Sequence, residues 1–286
     1  MRALRILCVA GFMASLLLAP LAHTQQASNT PLPDIPQLMR EVAGHQKELD
    51  KIRENYTYTS QLTVQYMDSN GQVTKTETEE FEEFFVHGHL IGRRVKKDGQ
   101  PLSEHELKKE TERVTKLAEK AEKTPREQPL EGPTISVSRL LEIMDVRNPR
   151  REIYHGRSSI LFDFIGRKDA KTHGMVEDAS KVVQGTLWVD EANRQVIHLE
   201  VSFNNNFRIG GGLLGTIEKG SNFHFDQALV NGEIWLPTGG EGTVQARVLL
   251  FKGIRQHYTE RDFDYQRFRV ETQQGKDAKV MPEKKQ

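Results

Sequence analysis

Cysteine is almost missing from this 286-residue chain: the one thiol, Cys8, stands at the start of an apolar run near the N-terminus. A lipid-anchoring cysteine stands at the end of such a run, directly after the cleavage point, so Cys8 offers no route to lipid anchoring. With no second cysteine there is no internal disulfide, and without the N-terminal run there is no thiol nucleophile or thiol metal ligand. Secreted animal and plant proteins of this size usually carry disulfides, so the lack of them favours a bacterial periplasm. Surplus charge is missing too. Forty Lys and Arg balance forty Asp and Glu, and losing Arg2 and Arg5 leaves a net charge of −2. Without a basic excess to neutralise phosphates, nucleic acid is excluded as a natural partner. After the N-terminus no apolar stretch approaches membrane-spanning length. G-x-S-x-G, H-E-x-x-H and calcium-loop patterns are all absent. No catalytic set emerges and no cofactor is implied, so the chain reads as a non-enzyme.

What is present begins with Arg2 and Arg5, the apolar run Ile6–Leu18, and the exit Ala19-Pro20-Leu21-Ala22. A basic flank, a short apolar core and small residues form a cleaved export signal. The expected organisation is a signal peptide over 1–22 and a flexible leader over 23–33. One domain over 34–270 and a polar, disordered tail over 271–286 complete it.

Within the domain, Asp34 with Gln37 forms a capping box, and Ile35, Leu38, Met39, Val42, Leu49 and Ile52 recur at helical spacing, which predicts a helix over 35–55. At Tyr56 the period changes to two. Tyr56, Tyr58, Ser60, Leu62, Val64 and Tyr66 share one face of a strand, Asn70-Gly71 turns it, and a return strand runs from Thr74 to Val86. A further strand follows from Ile91 to Lys96. Ser103 with Glu106 caps a second helix over 103–123, charged over most of its surface, and Ser136 opens a third over 136–145. From Glu152 the chain reads as strands linked by short turns, which only antiparallel pairing permits. On 195–203, Ile197, Leu199, Val201 and Phe203 take one face and His198, Glu200 and Ser202 the other. Val244, Ala246, Val248 and Leu250 share a face of a strand over 243–251. The fold class is mainly β (α+β), a curved antiparallel half-barrel sheet packed over a few helices.

Three constellations stand apart. His87 and His89 form a His-x-His pair, but Gly88 signals a turn and no third ligand has fitting spacing, so no metal is expected. Glu77, Glu79, Glu80, Glu82 and Glu83 read as the outer face of a strand. Gly210-Gly211-Gly212-Leu213-Leu214-Gly215 lacks a phosphate-loop ending. It reads as a flexible connector whose two leucines need something apolar to cover or touch.

The amphipathic first helix, the Tyr-x-Tyr-Thr strand opening a long hairpin, and Gly185-Thr186-Leu187-Trp188-Val189-Asp190 before the strand Gln195–Glu200 together resemble the bacterial outer-membrane lipoprotein carrier (lipoprotein-sorting) superfamily. The resemblance spans about residues 35 to 268. It implies an exported, periplasmic binding protein holding a lipid, lipoprotein or other apolar ligand in the concave face of the half-barrel. A non-enzymatic interaction or stress-sensing module of the cell envelope on the same scaffold is the alternative. Implied partners are an apolar small molecule, a lipid or an acylated protein, with an envelope protein or peripheral membrane contact besides. No functional residue carries over from the family. From the strand pattern alone, Leu62, Val64, Val201, Val248 and Leu250 are the cavity candidates, and Leu213 and Leu214 the rim.

Overall fold

The computed structural model describes residues 31–126, 128, 130, 135–249, 252–269 and 281–282. The expected export signal, most of the leader and most of the tail lie outside them, as does Leu250. Residues from Pro31 onward form one unit.

Helix α1 (Ile35–Arg53) starts where Asp34 accepts the Gln37 amide at 2.7 Å. It leads into β1 (Tyr56–Met67), β2 (Val73–Val86), β3 (His89–Lys97) and the short β4 (Gln100–Pro101). Then come α2 (Glu104–Ala121), with the Ser103–Glu106 capping box in place, and α3 (Val137–Ile143), capped by Ser136. The strands β5 (Met144–Tyr154) and β6 (Arg157–Gly166), the helix α4 (Gly174–Ser180), β7 (Val183–Asp190) and β8 (Gln195–Phe203) follow. The chain closes with β9 (Phe207–Ile209), β10 (Gly215–Ile217), β11 (Asn222–Val230), β12 (Ile234–Val248), β13 (Lys252–Arg269) and β14 (Met281–Pro282). The last is a two-residue strand on β13, within the tail expected to be disordered.

All the pairings are antiparallel, and the main path runs β4-β3-β2-β1-β13-β12-β11-β8-β7-β6-β5. The sheet is open and curved, a half-barrel packed over helices. Its two ends, β4 and β5, do not meet. Cross-strand register gives the face toward α1 and α3, here the inner face, as continuous rows. One row is Val64, Tyr258, Gly242, Phe223, Val201, Gly185, Phe164 and Val146. The next is Leu62, Glu260, Gly240, Phe225, Leu199, Leu187 and Phe162.

The main core sits at the β6–β8 end of these rows. Leu38 and Val42 of α1, with Leu140 of α3, pack on Ile160, Phe162, Phe164, Leu187, Leu199 and Val201. A second core joins Leu49 of α1 to Trp188, Ile197, Trp235 and Leu236. α1 reaches both because it crosses where β8 and β11 part. Gln46 donates to Gln195 at 2.8 Å on one side, and Arg53 donates to Gln227 at 2.6 Å on the other. A third core lays Leu117 and Ala121 of α2 on Ile91, beside Phe84 and Val86.

α2 also covers the free edge of β3. Glu110 accepts the Arg94 amide at 2.8 Å, and Arg113 donates to the Gly92 carbonyl. An uncovered strand edge invites pairing with other chains, and these two side chains occupy the groups that would recruit one.

Several expectations need correction. The third helix ends at Ile143, and Met144 and Asp145 already pair with β6, so the helix does not reach 145. α4, β9 and β10 were not foreseen. β12 runs unbroken from Ile234 to Val248, through Pro237 and its glycines, where a strand was expected over 243–251. A bulge places Ile197 and His198 together opposite Trp188. Ile197 therefore leaves the face of Leu199 and Val201 and joins the second core. One extra residue in a period-two pattern exchanges the faces of all that precedes it.

Candidate functional site

Between the helix-covered strands β6–β8 and the α2 edge, the inner face of β1, β13, β12 and β11 carries half-buried side chains. Leu62, Val64, Tyr258, Phe223 and Phe225 are all of this kind. The floor is lowest at β12, where both inner positions are glycine, Gly240 and Gly242. Tyr258 lies across Gly242: a Cβ there would come within 2.6 Å of the tyrosine hydroxyl. The result is a trough with an apolar and aromatic floor. At its β1–β3 end it deepens into a cavity of about 450 Å³ lined by Leu62, Phe81, Ser60, Glu83, Arg94, Arg113 and Glu260, among others.

That end is acidic. Glu79 and Glu83 of β2 stand opposite Leu62 and Tyr58, on the inner side, so the acidic run does not simply mark an outer face. The correction has a plain cause: Glu79, Phe81 and Glu83 share one parity, and the inner face takes all three. Glu80 and Glu82 do point outward, where they pair with Lys96 and Arg93. Gly92 leaves room for the Glu83 carboxylate, which a Cβ would meet at 2.5 Å. Burial, with Glu260 and Asp262 nearby, pushes the Glu83 carboxyl up to about 7, and Arg113 opposes this only in part. Burial and Glu260 push Asp262 up to about 7 as well. Ser60 donates to Glu260 at 3.1 Å, and Tyr58 stacks on Tyr265 with centroids 4.8 Å apart. Burial holds both phenols above their usual range.

A second polar cluster lies on the outer face. His198 Nδ1 is 2.6 Å from Asp226, and Tyr154 donates to the same carboxylate at 3.2 Å. Tyr154 stacks on the imidazole at 5.1 Å, and Trp188 meets it edge-on at 4.8 Å. Burial works against the charged ring, but the bond to Asp226 and its charge outweigh it, so the pKa of His198 stands above the ordinary value. Asp226 is likewise penalised by burial, yet His198 holds its carboxyl below the usual range. The cluster borders a depression of about 490 Å³. His198 keeps the face that alternation gives it, with Glu200; what the sequence does not show is the β8–β11 pairing that sets it beside Asp226.

The sequence-derived candidates scatter. Leu62 and Val64 sit together in the trough. Val201 shares a row with Val64 but lies four strands away, about 19 Å at ordinary strand spacing, and is 4% exposed in the main core. Val248 is on the inner face, but six residues along β12 from Gly242, about 20 Å from the Val64 row. Leu213 and Leu214 follow the three glycines at the tip of the β9–β10 hairpin and are 66% and 62% exposed. His87 and Gly88, both with positive φ, form the turn between β2 and β3, and His89 is turned inward to the Thr124 carbonyl at 3.0 Å. Among the described residues no group of three or more His, Cys, Asp or Glu is placed to hold a metal ion, and no helix is long and apolar enough to cross a membrane.

No protein-family model matches this chain, and no curated protein does. Among solved structures, it is similar to a Vibrio parahaemolyticus domain described as an outer membrane lipoprotein-sorting protein. The identity is 13%, the TM-score 0.37, and the match covers 81% of this chain and 92% of that one. It is also similar to a DUF1329 family protein from Desulfovibrio piger, at 10% identity and a TM-score of 0.34, covering 80% and 91% of the two chains. Likenesses this distant assign no function to the trough.

Proposed function

We propose that this chain is an exported, periplasmic binding protein that holds the apolar part of a lipid-like ligand in the trough between α2 and the α1–α3 core. The reading rests on one observation: half-buried Leu62, Val64, Phe223 and Phe225 line an inner face whose β12 floor is glycine, crossed by Tyr258 at Gly242. A packed domain fills such a face with side chains, whereas a concave apolar surface left open is the usual form of a small-molecule site. The carboxylates at the β1–β3 end disfavour an anionic head group there, so the tail, or a neutral or cationic head, is the part that enters.

The test uses delipidated protein and the neutral fluorescent probe N-phenylnaphthylamine. Wild type brightens the probe, and Leu62→Gln with Val64→Gln weakens its binding by about tenfold, the effect of losing roughly 1.5 kcal/mol of apolar contact. Both side chains are only partly buried, so the urea midpoint falls by less than for a core substitution such as Phe162→Ala. Wild-type protein that leaves the probe dark refutes the reading. Export is checked separately: mass analysis of protein purified from cells finds a new N-terminus between about residues 22 and 28.

A further inference from the structure

Far from the trough, two neighbouring turns carry leucines that no core explains. Leu213 and Leu214 cap the β9–β10 hairpin, and Leu249 directly follows β12, at 66%, 62% and 63% exposure. The turns are joined: the Leu249 amide donates to the Leu214 carbonyl at 3.3 Å, and Gly215 pairs with Val248. Soluble proteins scatter exposed leucines singly, and three on one apex form a patch with a use.

Cations surround this apex. Arg208, Thr216 and Arg247 lie in one cross-strand row just behind it, and Lys252 pairs with Val248. Arg208 and Lys252 are exposed and make no ion pair among the described residues. Arg247 reaches Glu218 at 2.8 Å and remains 56% exposed. A protruding apolar tip with a basic collar matches the chemistry of an anionic lipid surface, where leucines enter the acyl boundary and cations meet phosphates. A second copy fits less well, because a two-fold contact through this apex would set each basic collar against the other.

We propose that the apex is a membrane-docking tip: Leu213, Leu214 and Leu249 enter an anionic bilayer surface while Arg208, Arg247 and Lys252 engage lipid phosphates. The tip lies about 20 Å along β12 from the Leu62–Val64 rows, so it stands or falls independently of the trough.

The reporter is Leu214→Trp in the full chain, with Leu213→Trp as a second variant should the first lower the urea midpoint. Trp188 and Trp235 are 9% and 7% exposed and give a constant background, and the reading is local, so insertion of residues 1–22 does not register. Vesicles of phosphatidylglycerol or phosphatidylcholine carry brominated acyl chains. The expected result is a blue shift and bromine quenching on phosphatidylglycerol. Leu213→Ser added to Leu214→Trp weakens partitioning by roughly tenfold or more. Arg208→Gln with Lys252→Gln weakens it by roughly 25-fold. No quenching on phosphatidylglycerol overturns the proposal. So does equal quenching on phosphatidylcholine, or a blue shift that grows with protein concentration and needs no vesicles, the mark of a second copy.

Discussion

Glu83→Gln should make this protein more stable, and only where Glu83 would be charged. Glu83 lies on the inner side of β2 opposite Tyr58 and Gly92. Burial first, then Glu260 and Asp262, lift its carboxyl from 4.5 to about 7. Between those values the folded chain keeps a proton that the unfolded chain has released, so stability falls as pH rises through that window. Above about pH 7 both states are ionised and the full cost applies, about 3 kcal/mol from the ratio of the two constants. Glutamine keeps the shape and removes the charge, but Arg113 loses a favourable neighbour, which leaves a net gain of about 2 kcal/mol at pH 8. Urea unfolding reads this as a midpoint about 1 M higher for an ordinary slope. At pH 5 the gain shrinks below about 1 kcal/mol because the folded wild type is then protonated. A midpoint that drops at pH 8, or a gain equal at both pH values, refutes the assignment of Glu83 as a strained carboxylate. Asp262→Asn should act in the same direction, with the double variant gaining less than the sum, since the Asp262 charge is part of what raises Glu83.

Phe162 is fully buried in the main core, and Phe162→Ala should cost about 3–5 kcal/mol in urea unfolding. His198 should titrate by NMR above the ordinary histidine range and fall back in Asp226→Asn. The stability that His198 contributes is complete below its unfolded value and is lost as pH rises through the folded one, whereas that of Asp226 is lost on acidification through its lowered value. Glu110→Ala removes the acceptor of the Arg94 amide, and hydrogen exchange at that amide should accelerate while exchange within β7–β8 stays unchanged.

Much of this fold can be read from residues with local causes. Asp34, Ser103 and Ser136 each cap the helix that follows, and the Asn70-Gly71 turn returns β1 onto β2. What stays hidden is non-local. β5 begins the residue after α3 because Met144 finds Gly166 across the sheet, a partner 22 positions on that no capping pattern announces. The face of Ile197, and of the β8 residues before it, turns on one bulge opposite Trp188. The inward face of Glu83 escapes alternation because a charged strand face is normally wet, and only the curvature that sets Glu260 and Asp262 beside it makes that face an interior. Leu62 and Val64 could be placed together by period alone. Their separation from Val201 and Val248 depends on strand order, which alternation does not encode.

That strand order also sets when the molecule can be finished. β2, β3 and β4 reach the rest of the sheet through β1 alone, and the other neighbour of β1 is β13, the last long strand. Ser60 and its partner Glu260 stand 200 positions apart. Until residues 252–269 have arrived, no strand pairing joins the first hairpin to the β5–β12 meander, though α1 can already dock on the latter, and each piece has a bare long edge, β1 on one and β12 on the other. Joining their edges through β13 pairs residues 200 positions apart, so folding should be slow and end in one late step. During that wait, two unpaired strands of twelve and fifteen residues are open to any extended peptide in reach. The seam at β1–β13 is thus the place where a folding helper would act, and where a truncated chain would aggregate.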